Sequence, residues 1–359
     1  MIVGSGIDMA RFTKDRMAVL PATKCVPKLL DLETDFIAFW ARMRRNLHGS
    51  GCGSQLSYSE TRQAKNLADD AYKRRLRESG LTSVKAEDRP AITALAQEGG
   101  KLGGPGTADD VYQLVATLHA ESPWMRDVSS WIMRQMLRHL ASGGHGFALP
   151  PVILAGPPGI GKSHFARTLA KLADVPVRMI DVGGGTAGFR IAGTEKGWGT
   201  AQAGIPVETL LASRVANPVM VVDEIDKAGT TYRMSGGSSS LTTSLLQLLE
   251  PATARHFECP YFRVPFDMSR VVWIMTANDI ERVPAPLRDR SRVFILPSLS
   301  AYDAVAHFNR MTGGCDTDDQ VKRCRDFISE MCGRPAGISL RQIQQLADAA
   351  NSPVSQLIH

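Results

Sequence analysis

Residues 150–163 read PPVILAGPPGIGKS, an apolar run that stops at a glycine-rich turn ending in Lys162 and Ser163. The run over 152–155 predicts a short buried strand, and 162–173 predicts a helix with Phe165, Leu169 and Leu172 on one face. Strand, loop and helix in that order are the setting of a phosphate-binding loop. Gly156, Gly159 and Gly161 allow positive φ, so that successive N–H groups turn inward around phosphate oxygens at a helix N-terminus, where the dipole adds to the attraction. The expected nucleotide contacts are Gly156, Pro157, Pro158, Gly159, Ile160, Gly161, Lys162, Ser163 and His164. Lys162 is expected on the β- and γ-phosphates of ATP and the Ser163 hydroxyl on Mg²⁺.

Downstream, apolar strands are expected at 177–181, 219–222, 271–276 and 293–296, separated by helical stretches. That alternation argues for a parallel sheet between helices, with function at the carboxyl ends of the strands. One such end, NPVMVVDEIDK over 217–227, discharges two carboxylates. Asp223 is placed to hold Mg²⁺ and Glu224 to polarise the water that attacks a γ-phosphate, as a Walker B element does beside a Walker A loop. The next strand, VVWIMTAN over 271–278, ends in Thr276 and Asn278, where a polar side chain could orient the same water; an asparagine there also reads as a plain turn residue. Arg288, Arg290 and Arg292 then lie close together before the last strand. They read either as a solvated cluster or as a guanidinium delivered to a neighbouring subunit, which is worth about 10³ to 10⁵ in rate.

Upstream of the loop, Thr107 with Asp110 predicts a helix start, and Pro123 opens a helix carrying Val128, Trp131, Ile132, Met136 and Leu140. The run EGGKLGGPG over 98–106 reads as a flexible joint. Before it, Phe36, Trp40, Met43 and Leu47 share one face of a helix starting near Asp31, and a second, polar helix is expected over 59–78.

Composition narrows the partners. The net charge of +6 is spread evenly, 17 Lys and Arg against 14 Asp and Glu over 1–110 and 25 against 22 beyond, so nucleic acid is not the expected partner. No apolar run approaches the roughly 20 residues of a membrane span, and the start lacks a signal pattern; a cytoplasmic chain without membrane contact is expected. The six cysteines include no CxxC pair, which makes reduced thiols the default. His48 with Cys52 and His256 with Cys259 have loose ligand spacing but no second pair, so zinc is not expected.

The set GPPGIGKS, VVDEIDK, LLQLLEP (245–251), MTAN and VPAPLRDR, in that order and spacing, resembles the ATPase module of the AAA+ superfamily, and within it the Lon branch. The similarity covers about 149–297 well, the C-terminal remainder loosely, and 1–104 not at all. It implies an α/β P-loop NTPase with a parallel five-stranded sheet and a C-terminal helical lid. The parts are then a mostly helical domain over 1–104, the large ATPase domain with its leading helices over 105–299, and the lid over 300–359. By the same resemblance Asn278 matches sensor 1, Arg290 the arginine finger, and Arg341, in GISLRQIQQL, the sensor 2 arginine of the lid; Arg341 also reads as a surface arginine.

In Lon-like modules a glycine-flanked aromatic projects into a central channel, and Trp198 in GTEKGWGT (193–200) sits in the matching place. MSGGSSS over 234–240 resembles the second pore loop. Lon proteases continue into a Ser/Lys protease domain, whereas this sequence reaches His359 just past the lid, so no protease activity is expected of it. The resemblance thus implies a Mg²⁺-dependent ATP hydrolase in a homo-oligomeric ring, a hexamer, that remodels, unfolds or translocates a protein substrate, for a separately encoded protease or effector. An ATP-gated assembly switch or scaffold, and a DNA-directed remodeller, are the alternatives.

Overall fold

The computed structural model describes residues 15–48, 56–182, 187–196, 201–229, 241–313, 319–334 and 337–351. The chain begins with β1 (Arg16–Met17), α1 (Leu29–His48), α2 (Tyr58–Glu78), α3 (Arg89–Glu98) and β2 (Gly100–Lys101), which pairs antiparallel with β1. α4 (Ala108–Glu121) and α5 (Arg126–Ala141) lead into β3 (Val152–Ala155), α6 (Lys162–Leu172) and β4 (Val177–Asp181). Next come α7 (Ala187–Ala192), α8 (Ile205–Ser213), β5 (Val219–Asp223), α9 (Leu241–Leu249) and α10 (Pro251–Ala254). A small antiparallel pair, β6 (Phe257–Cys259) and β7 (Val264–Phe266), precedes β8 (Val272–Ala277), α11 (Ala285–Asp289) and β9 (Arg292–Ile295). α12 (Ala301–Thr312), α13 (Asp319–Cys332) and α14 (Leu340–Asn351) form the helical C-terminal part.

Helix starts follow the capping chemistry of the sequence. Thr107 Oγ1 accepts from the Asp110 N–H at 3.2 Å while Asp110 accepts from the Thr107 N–H at 2.9 Å, which fixes the first turn of α4. Ser57 and Glu60 make the same reciprocal pair ahead of α2. α1 begins two residues before the expected Asp31, and Met43 on its expected packing face is 45% exposed, while Phe36 and Trp40 are half-buried.

Five parallel strands form one sheet in the order β4-β5-β8-β3-β9. β3, the strand that feeds the glycine-rich loop, is central, and its neighbour β8 separates it from β5. The tips of all three therefore adjoin. Because side chains alternate along a strand, the sheet carries a core on each face. Ile153, Ala155, Met220, Val222, Trp273 and Met275 belong to one core, and Val152, Leu154, Val219, Val221, Val272 and Ile274 to the other. α4 to α6 and the C-terminal helices supply the second core through Leu118, Trp131, Phe165, Phe308 and Ile343.

The N-terminal residues are built into the first core rather than appended on a tether. Val19, Leu20, Leu81, Ile92 and Leu95 are buried in the same cluster as Met220 and Trp273 of the sheet. The run over 98–106 is accordingly no flexible joint. A Cβ on Gly100 would lie 2.7 Å from Val19 Cγ2 and 2.8 Å from Ala216 Cβ, so the glycine serves close backbone approach. Buried Asn217 clamps the next turn: its Oδ1 accepts from the Gly103 N–H at 2.9 Å, and its amide donates to Gly103 O at 2.7 Å and Phe147 O at 2.8 Å. Cys25, Cys259 and Cys332 are free thiols, and among the described residues no helix is long and apolar enough to cross a membrane.

Candidate functional site

The site forms where the tips of β3, β5 and β8 meet. Gly159 and Gly161 adopt φ of +81° and +90°, in the region that L side chains avoid. Gly156, at +158°, is nearly extended; its requirement is steric, since a Cβ would lie 2.5 Å from Leu296 O. The carbonyls of the loop are engaged: Lys162 Nζ donates to Gly156 O at 2.7 Å and Pro157 O at 2.8 Å, Trp124 Nε1 to Ile160 O at 2.9 Å, and the Leu340 N–H to Gly159 O at 2.9 Å. Among the described residues the N–H groups of Gly159, Ile160, Gly161, Lys162 and Ser163 have no acceptor outside their own helix. A ring of unengaged donors at a helix N-terminus is an anion cradle.

Lys162 also donates to Asn278 Oδ1 at 3.1 Å, which ties the tip of β8 to the loop. Burial pushes the ammonium below its ordinary pKa, while the carboxylates of Asp223, Asp226 and Glu224 pull it back up. Ser163 Oγ donates to Asp223 Oδ1 at 2.7 Å. Lys162, Ser163, Asp223 and Asn278 thus come together at one point. Thr276 has a different place from the expected one. It is buried, its hydroxyl donates to Asp223 Oδ1 and accepts from the Glu224 N–H at 3.1 Å, so it braces the two carboxylate residues instead of facing water.

Glu224 has φ +58°, unusual for a residue with a Cβ, and its carboxylate is ion-paired with Lys227. Hard oxygen donors in this arrangement, Ser163 Oγ beside Asp223 Oδ1, fit Mg²⁺, which is bound through a carboxylate, a hydroxyl, phosphates and retained water.

The helical C-terminal part sits directly on this loop. A Cβ on Gly159 would lie 2.4 Å from Ser339 Cβ, and one on Gly161 2.7 Å from Leu340 Cδ1. Ser339 caps α14 with Gln342, whose Oε1 accepts from the Ser339 N–H at 2.9 Å. Arg341, exposed, follows in the first turn of α14, next to the loop contact made by Leu340. A second set of contacts joins α12 to the end of α4: Arg310 donates to Ala120 O and, at 3.2 Å, to Glu121 O, while His307 packs edge-on against Trp124 with ring centroids 5.6 Å apart. Glu121 in turn pairs with His164 at 2.6 Å. Sequence reading missed Trp124, Glu121, His307 and Arg310, which are brought together from three separate elements; the Pro-Trp step that opens the turn before α5 is the one local signal.

Arg290 lies elsewhere. It caps α11 just before β9, whose first residue, Arg292, pairs with Val152 at the amino end of β3, so Arg290 sits at the opposite end of the sheet from the loop of its own chain. It is exposed, with Nε 4.0 Å from Glu250 Oε2 and one terminal nitrogen donating to Pro286 O at 3.3 Å. Trp198 and the run 234–240 are outside the described residues. The residues flanking Trp198 form a stem, with the Thr194 N–H donating to Gln202 O at 2.9 Å and Gly193 bridging Ala203 antiparallel.

Residues 152–299 match the profile of the ATPase family associated with various cellular activities (AAA). The chain carries a Lon-like AAA+ module. A Lon protease from Desulfovibrio desulfuricans is 38% identical over 148 residues, which is 41% of this chain and 16% of the relative. The peroxisomal Lon protease homolog 2 of Caenorhabditis elegans is 32% identical over 208 residues, 56% of this chain and 26% of the relative. The matched stretch therefore spans about a quarter or less of these curated relatives. In fold, the AAA+ module and its surroundings are similar to a chain of Hsp104 solved in a closed state with ATPγS and FITC casein. The TM-score is 0.50 at 15% identity, covering 89% of this chain and 58% of that one.

Proposed function

We propose that this AAA+ module hydrolyses ATP in a ring of identical subunits, a hexamer, and uses the cycle to remodel, unfold or translocate a protein substrate. The observation that carries the reading is the junction of Lys162, Asn278, Ser163 and Asp223 beside a row of unengaged N–H groups. In this scheme the loop N–H groups and Lys162 hold the β- and γ-phosphates, and Ser163 and Asp223 would hold Mg²⁺, which supplies charge neutralisation along the triphosphate. Glu224, released from Lys227, accepts the proton of the attacking water. Asn278 orients that water or the γ-phosphate from the tip of β8. The position of Arg290 supports a role in trans, since it is remote from its own loop and exposed.

The contacts of Ser339 and Leu340 with the loop, and of Arg310 with α4, give nucleotide state a path to the helical lid, with Arg341 as its sensor. Motion of the lid against the sheet would carry Trp198 on its stem. The similarity to Lon proteases, and to an Hsp104 chain solved with casein, supports a polypeptide as what is moved. A cytoplasmic setting and a separately encoded protease or effector complete the proposal. Trp198→Ala tests it: a threading motor keeps most basal ATPase and loses substrate-stimulated work, whereas an ATP-gated switch or a DNA remodeller retains its output.

A further inference from the structure

At the end of the sheet opposite the ATP loop, where β3 and β8 begin, lies a cavity of about 440 Å³. Leu149 and Val271 give it an apolar wall; Arg138, from the last turn of α5, and Arg270, just ahead of β8, make the other wall cationic, with the His139 ring, held below its ordinary pKa by burial, against Arg270. No described carboxylate lines it. Arg270 is half-buried. One terminal nitrogen donates to His145 O at 2.7 Å and faces His139 Nε2 at 3.3 Å, while its Nε–H is buried without an acceptor among the described residues. Asp267 is the nearby carboxylate, and it is already engaged by the N–H and hydroxyl of Ser269 at 2.9 and 2.6 Å. Arg138 is exposed; its Nε donates to Arg134 O at 3.3 Å, and Gln135, with its amide flipped end for end, accepts from one terminal nitrogen of Arg138 at 3.0 Å.

The Arg270 Nε–H is too enclosed for an occupant of the cavity to reach, but two guanidiniums lining one cavity without a carboxylate repel each other until an anion lies between them, and charge-assisted bonds to it are about twice as strong as neutral ones. Two guanidiniums lining one cavity, with donors left over from their bonds within the chain, suit a tetrahedral dianion. We propose that this cavity binds a phosphate group, held between Arg138 and Arg270, as the free ion or as the monoester of a small molecule whose organic part rests on Leu149 and Val271. The site is independent of the ATPase reading. Arg290 stands at the same end of the sheet, ahead of the neighbouring strand β9, and does not line the cavity.

The test uses the full chain with Mg·ADP present in excess, titrated with inorganic phosphate and with glycerol 3-phosphate in a calorimeter, for the wild type, Arg138→Gln, Arg270→Gln and Arg290→Ala. Saturable binding that weakens at least tenfold in Arg138→Gln, and not in Arg290→Ala, is the expected result. Arg138 is exposed, so its variant keeps the fold even where Arg270→Gln does not, and unchanged ADP affinity verifies this. Tighter binding of glycerol 3-phosphate assigns the site to a monoester; equal binding assigns it to the free ion. Absence of saturable binding by the wild type, or binding indifferent to Arg138, overturns the proposal, whereas phosphate taken up by the ATP loop would be indifferent to Arg138 and would vanish in Lys162→Ala.

Discussion

Replacing Thr276 by valine removes one buried hydroxyl and keeps the branched shape of the side chain. In the structure that hydroxyl donates to Asp223 and accepts from the backbone N–H of Glu224, which stands at φ +58°. A non-glycine residue in that conformation costs about 1–2 kcal/mol, so it needs fixed partners, and Thr276 is one of them. A hydrogen bond to a charged group contributes about 1.5–3 kcal/mol, and an orphaned buried N–H costs a further 1–3 kcal/mol or so. If most of the first term acts on the placement of Asp223 and Glu224, the turnover number falls roughly 10- to 100-fold at 1.4 kcal/mol per decade. The affinity for ATP should change little, because Lys162 and the loop N–H groups are untouched. A coupled ATPase assay over a range of ATP concentrations, with nucleotide affinity measured by fluorescence titration, separates the two. Thermal unfolding should move down by about 2–4 °C per kcal/mol lost. Thr276→Ser, which keeps the hydroxyl, should recover most of the turnover. Wild-type turnover in Thr276→Val would show that the hydroxyl only stabilises the fold and that the bracing argument fails.

Gly159→Ala should unseat the lid, because the new methyl would meet Ser339 Cβ at 2.4 Å on a backbone with φ +81°; the expected outcome is loss of ATPase with faster proteolysis between β9 and α12, and an unaltered cleavage pattern would contradict the contact. His307 has its pKa lowered by burial first, then by Arg310 and His164, so the folded state prefers the neutral ring. Its contribution is therefore present above the ordinary histidine value of about 6.5 and is lost as pH falls through the lower folded value; His139, lowered chiefly by burial, acts in the same direction. Thermal stability should decline as pH drops below about 6.5, and His307→Asn should flatten part of that decline; an equal slope in the variant would remove His307 as a cause.

The parts of the site that lie within a single stretch of chain were legible in the sequence. Strand, glycine loop and helix over 150–173 fold locally, and the apolar run ending in Asp223 and Glu224 needs only its own strand to place them. Asn278 at the tip of the next strand read equally as a turn residue, and only the resemblance to AAA+ modules singled it out. What escaped was everything that depends on distant segments meeting. The glycines of 98–106 look like a hinge when read alone, and only the presence of Val19, Ala216 and Asn217 shows that they are there for closeness. Thr276 reads as a side chain that could orient the attacking water because it ends a strand; its burial and its bond to the Glu224 N–H give it a different task. Apart from the Pro-Trp step, Trp124, Glu121, His307 and Arg310 carry no signal, since each is a single polar or aromatic side chain whose partner lies 36 to 190 positions away or packs by its ring.

The central claim is that each site is finished by Arg290 of a neighbouring subunit, and mixing inactive subunits tests it directly. Lys162→Ala should not bind ATP and Arg290→Ala should bind but not hydrolyse it, so each alone is inert. In an equal mixture, about one interface in four pairs an intact loop with an intact arginine, and ATPase should reappear at about a quarter of the wild-type rate. Rings that form from the mixture and stay as inactive as the separate variants would contradict the account.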